Sequence, residues 1–272
     1  MGNTSVRVLF FLLFFSLPSL VGAETVKVAG SESELFLMNE LAKAYMEKYR
    51  EDRIEVRQDS IGAKGAFMGT SKGAIDIGLS ARRLLESEKS LGLELIEIAR
   101  IATVVGVNAE TVPVEEIKSR QLCDIYSGKI RNWSELGGPN ASIKPLTMPE
   151  PDCAKVSVRE GFPCFTKLKE SSDVVLMPKL DSMNAAIAGN PNTIGFTDVM
   201  AIENSKGKIR ALKIDGVSAS RETVASGKWQ MVRHCYLVLG KKRNEAISRF
   251  IEFIRSPAGE AILKKHKAVP VP

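Results

Sequence analysis

Short β-branched runs alternate along this chain with segments whose apolar residues recur at helical spacing. Residues 25–28 (Thr-Val-Lys-Val) read as a strand. After Gly30 and Ser31, Leu37, Leu41, Ala44 and Tyr45 fall on one helical face. A second strand is expected at 54–56, a short helix from 62, and a buried strand at 75–78. The middle repeats the pattern, with a strand at 102–107, a helix at 114–126, a strand at 143–146, a helix at 181–188 and a strand at 193–196. The end reads as a strand at 235–239 and two helices, 244–254 and 257–265, the latter opened by Pro257, whose fixed φ and missing N–H suit a first turn. Strand–helix–strand order with short loops predicts an α/β protein with a mainly parallel sheet flanked by helices. No Pro- or Gly-rich linker divides it, which favours two lobes joined by chain crossings over two separate beads.

The N-terminus changes the picture. Arg7 is the only charge before Glu24, residues 8–17 are nearly all apolar, and Val21-Gly22-Ala23 supplies small residues for cleavage. This is the layout of a secretory signal peptide, 1–23, and the run is shorter than the roughly 20 apolar residues of a bilayer-spanning helix. Cleavage after Ala23 and export to the periplasm are expected, with no cysteine there to take a lipid. Composition is that of an ordinary globular protein, 44% hydrophobic and 26% charged over 272 residues. The formal charge of +6 falls to +5 once Arg7 is removed. The late basic group around Lys241, Lys242 and Arg243 reads as a solvated face. Export and the lack of zinc-finger or aromatic RNA-binding motifs argue against nucleic acid.

Four cysteines lie in the mature part: Cys123, Cys153, Cys164 and Cys235. An exported chain can keep disulfides, and four cysteines allow three pairings. Cys153 and Cys164 bracket one short loop and are the favoured pair. His234 and His266 have no partners at metal-ligand spacing, so neither a metal nor a cofactor is expected. There is also no Gly-x-Ser-x-Gly nucleophile elbow, which argues against a hydrolase.

The run from Leu122 to Gly138 carries an Ile-aromatic-x-Gly-x-Ile-x-x-Trp-x-x-Leu-Gly-Gly pattern, Ile125-Tyr126-Ser127-Gly128 through Trp133 to Gly137-Gly138. This resembles the phosphate-type periplasmic solute-binding proteins of ABC importers. Gly30-Ser31-Glu32-Ser33, Gly73 to Ser80, Asn192 to Phe196, Arg233 with Tyr236, and Phe250 to Gly259 are similar to further family segments, in the family's order. The resemblance implies a type II periplasmic-binding fold, two α/β lobes that close on a solute. Residues 24–106 and 205–272 would form the first lobe and 107–204 the second. It also implies a small anionic, phosphate-like solute, an inner-membrane ABC permease as partner, a monomer, and no catalysis. A divergent binding or sensing module, with another ligand or a protein partner, is the alternative.

The resemblance places the oxyanion among small hydroxyl residues and main-chain N–H groups. The first loop offers Ser31 and Ser33, which donate to an anion or cap the next helix, and Glu32, whose charge opposes one. The second offers Ser60 and the N–H groups near Gly62. The third offers Ser80, Ala81, where relatives carry Ser or Asp, and Arg82, which grips the anion or pairs with Glu86 or Glu88. The second lobe lacks the family's Arg and Ser-Gly-Thr. Setting 156–159 over that segment leaves Ser157 and Arg159 as matches, with Asp152 hostile to an anion.

Overall fold

The computed structural model describes residues 24–271; the expected signal peptide lies outside the described residues. In chain order the elements are β1 (Thr25–Gly30), α1 (Glu32–Lys48), β2 (Arg53–Val56), α2 (Gly62–Ser71), β3 (Ile77–Ser80) and the long β4 (Glu94–Asn108). There follow β5 (Glu116–Ile117), α3 (Ser119–Tyr126), β6 (Lys144–Thr147), α4 (Cys153–Gly161), α5 (Pro163–Thr166), β7 (Val175–Leu176), α6 (Leu180–Gly189) and β8 (Thr193–Asp198). The chain ends with α7 (Val199–Asn204), β9 (Ile209–Ala211), β10 (Lys213–Ile214), α8 (Arg221–Ala225), β11 (Val232–Leu239), α9 (Glu245–Arg255), α10 (Pro257–Lys265) and β12 (Val269–Pro270).

The main sheet runs β2-β1-β3-β11-β4-β8-β6-β7, with β9 and β12 also on β4. β1 pairs in parallel with β2 and β3, and β8–β6–β7 are parallel at the other end. The two antiparallel crossing strands join these halves. β4 pairs with β11 through residues 94–102 and with β8 through residues 103–107. That double duty explains its 15 residues, where the apolar pattern alone marked only 102–107. The helix expected at 114–126 begins later, because residues 116–117 pair with Lys213–Ile214 as a small ladder. Two β-branched residues and Pro113 favour extended chain there, and only 119–126 coil as α3.

Each half has its own core. One gathers Val26, Leu41, Tyr45, Leu237, Phe250 and Ile254. In α9 the buried residues Ala246, Ile247, Phe250, Phe253 and Ile254 recur at helical spacing, so its apolar stripe closes this core. The other core holds Tyr126, Trp133, Phe165 and Phe196. Trp133 is fully buried and its Nε1 donates to the Asn192 carbonyl at 3.1 Å, which anchors the Gly-Gly turn to β8. Leu212, Ile214, Val224, Trp229 and Met231 pack into this second core as well, so packing groups 212–231 with the middle of the chain.

Cys123 of α3 is bonded to Cys164 of α5, and Cys153 and Cys235 are free. The Cys153–Cys164 expectation is therefore corrected. Cys153 opens α4 at the cleft, whereas Cys164 lies beyond the C-terminal end of α4, in α5, which packs on α3.

Candidate functional site

A cavity of about 720 Å³ lies between the two halves, within the roughly 300–1,000 Å³ common for small-molecule sites. Its walls are the starts of helices. α1 contributes Ser31 to Ser33, α2 contributes Ile61 to Lys64, α4 contributes Asp152 to Ala154, and α6 contributes Lys179 to Asp181. The β–α connections of an open sheet place helix N-termini at the strand ends, which is why they collect here. Gly30 brings β1 close enough to β3 for this geometry: a Cβ there would stand 2.1 Å from the Leu79 carbonyl oxygen. Gly62 enters α2 at φ +64, a left-handed turn that suits glycine.

The helix starts differ in one respect. A helix leaves its first N–H groups without intrahelical acceptors, and those groups carry partial positive charge. Among the described residues the N-cap residues of α1, α2 and α6 make no side-chain cap, and in α2 only the first N–H, that of Gly62, meets a side chain, Ser60 Oγ. Ser31, 5% exposed as a residue, holds the N-cap position of α1, yet its buried hydroxyl finds no hydrogen-bond partner among the described residues. Ser is there in the right place to cap and does not cap. α4, by contrast, is closed by its own carboxylate: Asp152 Oδ1 accepts from Ala154 N at 2.8 Å and from Lys155 N at 3.3 Å. Those two N–H groups are therefore already satisfied within the chain.

A buried charge pair, Arg233 and Asp198, forms part of the cavity floor. Arg233 of β11 donates from Nη2 to Asp198 Oδ2 at 3.0 Å, and its Nε has no partner among the described residues. Asp198 also caps α7 by accepting from Ala201 N at 2.9 Å. Glu34, in the first turn of α1, is 3% exposed. Burial pushes its carboxyl up to about 7, against the opposing pull of the Ser33 hydroxyl and Arg233. Burial also pushes the Cys153 thiol up to about 12, with Glu34 and Asp152 adding to the shift. A neutral thiol is a poor nucleophile, so Cys153 is not set up for covalent chemistry. Among the described residues no group of three or more His, Cys, Asp or Glu side chains is placed to hold a metal ion.

The residues singled out in the sequence separate into three sets. Ser31, Glu32, Ser33, Ser60, Gly62 and Arg82 line the cavity. Ser60 is tied into the α2 entrance, donating to the Gly30 carbonyl at 3.1 Å and accepting from Gly62 N at 3.2 Å. Arg82 is committed: its guanidinium holds Glu88 at 2.7 and 2.9 Å and lies over the Phe67 ring. The Arg82 contact holds the Glu88 carboxyl below its usual range. Ser80 and Ala81 are buried outside the cavity wall, with the Ser80 hydroxyl turned back to the Arg82 backbone at 2.8 Å. Ser157 and Arg159 do not reach the cavity. Ser157 lies in the second turn of α4, where its Oγ bonds Thr103 Oγ1 and the Ala154 carbonyl, both at 2.7 Å. Arg159 holds Glu150 and the Phe165 carbonyl. The α4 start is thus Asp152-Cys153-Ala154, four residues before the segment the sequence comparison had set there.

The start of α6, with Lys179 and Asp181, and the floor residue Asp198 were not anticipated. The helix itself was expected at 181–188, but nothing in the sequence said that it faces the cavity.

The family model for the PBP superfamily domain matches residues 19–258. The chain belongs to the PBP superfamily. A PBP-domain relative, the phosphate-binding protein PstS of Borreliella burgdorferi, is 22% identical over 96% of both chains. The PstS of Bacillus subtilis is 23% identical over 85% of this chain and 75% of its own. Among solved structures, a substrate-binding protein from Clostridium perfringens, assigned to a phosphate ABC transporter and solved with bound phosphate, superposes with a TM-score of 0.81. It is 27% identical and covers 91% of this chain and all of its own. An ABC-type phosphate transport receptor from Vibrio cholerae superposes with a TM-score of 0.73 at 22% identity, over 91% of this chain and 100% of its own. The fold is the type II periplasmic-binding fold, and within it this PBP domain has the architecture of a solute-binding protein.

Proposed function

We propose that this chain is an exported binding protein that captures a small oxyanion of the phosphate class and presents it to an ABC permease. The observation that carries the reading is the set of three uncapped helix starts, α1, α2 and α6, aimed at one cavity beside an unpartnered Ser31 hydroxyl. Free N–H groups at helix starts favour anions by geometry and by the helix dipole. The relatives' phosphate binding supports the same ligand class. No nucleophile–base pair is needed for this role, and the activity is binding, not catalysis.

The mode of capture differs from one that draws on all helix starts. With Asp152 filling the α4 start and Arg82 bound to Glu88, the anion is held from α1, α2 and α6, with Lys64 and Lys179 adding charge at the rim. Each hydrogen bond withdrawn from a charged ligand costs about 1.5–3 kcal/mol. Affinity for phosphate is therefore expected in the micromolar range or weaker. The acidic lining of Glu32, Glu150, Asp152 and Asp181 supports a second reading, in which the cavity accepts an oxyanion that also carries donors or a cationic group. Thermal stabilisation of the purified mature protein by phosphate, sulfate, molybdate, tungstate and an aminoalkyl phosphonate tests both, since a ligand that binds only the folded state raises its melting point. A rise with phosphate supports the first reading and a rise with the phosphonate alone supports the second. No rise with any of them overturns the proposal.

A further inference from the structure

Glu34 is the feature of this site that oxyanion capture does not by itself require. It is a carboxyl in the first turn of α1, behind the cavity wall, 3% exposed, and its Oε2 has no partner among the described residues. Its other oxygen, Oε1, accepts the Ser33 hydroxyl hydrogen at 2.7 Å. Ser33 lines the cavity and Glu34 does not. The groups that face Glu34 come from several elements. Arg233 and Cys235 lie on β11, Asp152 and Cys153 at the start of α4, and Asp198, at the end of β8, pairs with Arg233.

A serine has one hydroxyl hydrogen. While Glu34 is ionised, that hydrogen belongs to the carboxylate, and Ser33 turns only lone pairs toward the cavity. An anion meets a repelling oxygen there. When Glu34 is protonated, the acid proton on Oε1 donates to Ser33 Oγ, and the hydroxyl hydrogen is released toward the cavity. One proton is taken from solvent, no covalent bond other than the O–H changes, and Ser33 converts from acceptor to donor. We propose that Glu34 is a positioning residue that sets the direction of the Ser33 hydroxyl and so makes capture of an oxyanion proton-dependent. This rests on the oxyanion reading of the cavity and adds its regulation.

The surroundings support the same direction. Burial favours the neutral acid and places its titration near neutrality, while Asp152 adds to that tendency and Arg233 opposes it. The unpartnered Ser31 hydroxyl stands two residues away on the same turn, so a freed Ser33 donor completes a pair.

The test uses inorganic phosphate, calorimetry and four proteins: the wild type, Glu34→Gln, Ser33→Ala and the double variant, each from pH 5.5 to 8.5. Phosphate itself titrates in this range, but its own titration is common to all four and cancels in ratios of Kd. The Gln side chain offers an N–H to Ser33 Oγ at every pH, as the protonated acid does. The expected ratio of wild-type to Glu34→Gln Kd is near one at pH 5.5 and rises to roughly tenfold at pH 8.5. Ser33→Ala and the double variant should bind alike at every pH. A wild-type to Glu34→Gln ratio that does not change with pH overturns the proposal. If none of the proteins binds phosphate, the oxyanion reading fails. The Glu34–Ser33 coupling is then read from the Glu34 carboxyl 13C titration: its midpoint rises in Ser33→Ala if the coupling holds, and an unmoved midpoint overturns it.

Discussion

The α1 and α4 starts face the same cavity and answer the same physical problem in opposite ways. Both helices begin with main-chain N–H groups that need acceptors. α4 satisfies two of its own with the Asp152 carboxylate. α1 has a serine in the capping position whose hydroxyl is left free. A capped start is stable on its own and indifferent to solutes. An uncapped one gives up about 1 kcal/mol of local stability and keeps donors ready for a guest. One fold has thus divided its helix starts between self-sufficiency and binding, and the binding side carries the buried acid Glu34 as a regulator.

The largest expected effect concerns that acid. Its folded pKa of about 7 is raised above the ordinary 4.5, so the folded protein holds a proton that the unfolded chain releases across this window. Stability associated with Glu34 is full below pH 4.5 and is lost as pH rises through 7. Glu34→Gln should match the wild type in urea denaturation at pH 4.5 and exceed it by on the order of 2–3 kcal/mol at pH 8. Equal stability of the two proteins at both pH values would place Glu34 in water rather than in the core.

The next effects set the two helix starts against each other. Ser31→Ala removes a hydroxyl that makes no bond in the free protein, so stability should hardly change. Phosphate affinity should fall about tenfold or more, as for any donor lost from a charged ligand. Asp152→Asn keeps a capping oxygen at α4 but removes its charge, so affinity should rise, by up to about tenfold at low salt. Calorimetry reads both. If Ser31→Ala binds normally and Asp152→Asn binds less tightly, the roles of the two starts are reversed.

Much of the fold was legible because its signals are local. The Ile125-to-Gly138 run carried the family resemblance, and its Trp133 is the buried anchor of that turn. Gly30-Ser31 marked the strand-to-helix turn at the cavity. The early loops were likewise readable, since a Gly-Ser turn after a buried strand places donors at a sheet end. What escaped was decided by contacts far apart in sequence. Cys164 pairs with Cys123 because α5 packs on α3, which spacing along the chain does not encode. Ser157 and Arg159 looked like ligands because a one-dimensional match cannot tell the first turn of α4 from the second. Arg82 was open to an anion, Glu86 or Glu88, and in the fold it holds Glu88.

The central claim is that a small oxyanion is held by the open helix starts and not by the closed one. The most direct measurement is an amide 1H–15N titration of the mature protein with inorganic phosphate. The account predicts shifts at Ser33 and at Ala63, Lys64 and Asp181, whose N–H groups lie in the first turns of α1, α2 and α6. Ala154 and Lys155, already bound to Asp152, should stay where they are. Shifts concentrated at Ala154 and Lys155, with α1 and α2 silent, would contradict it.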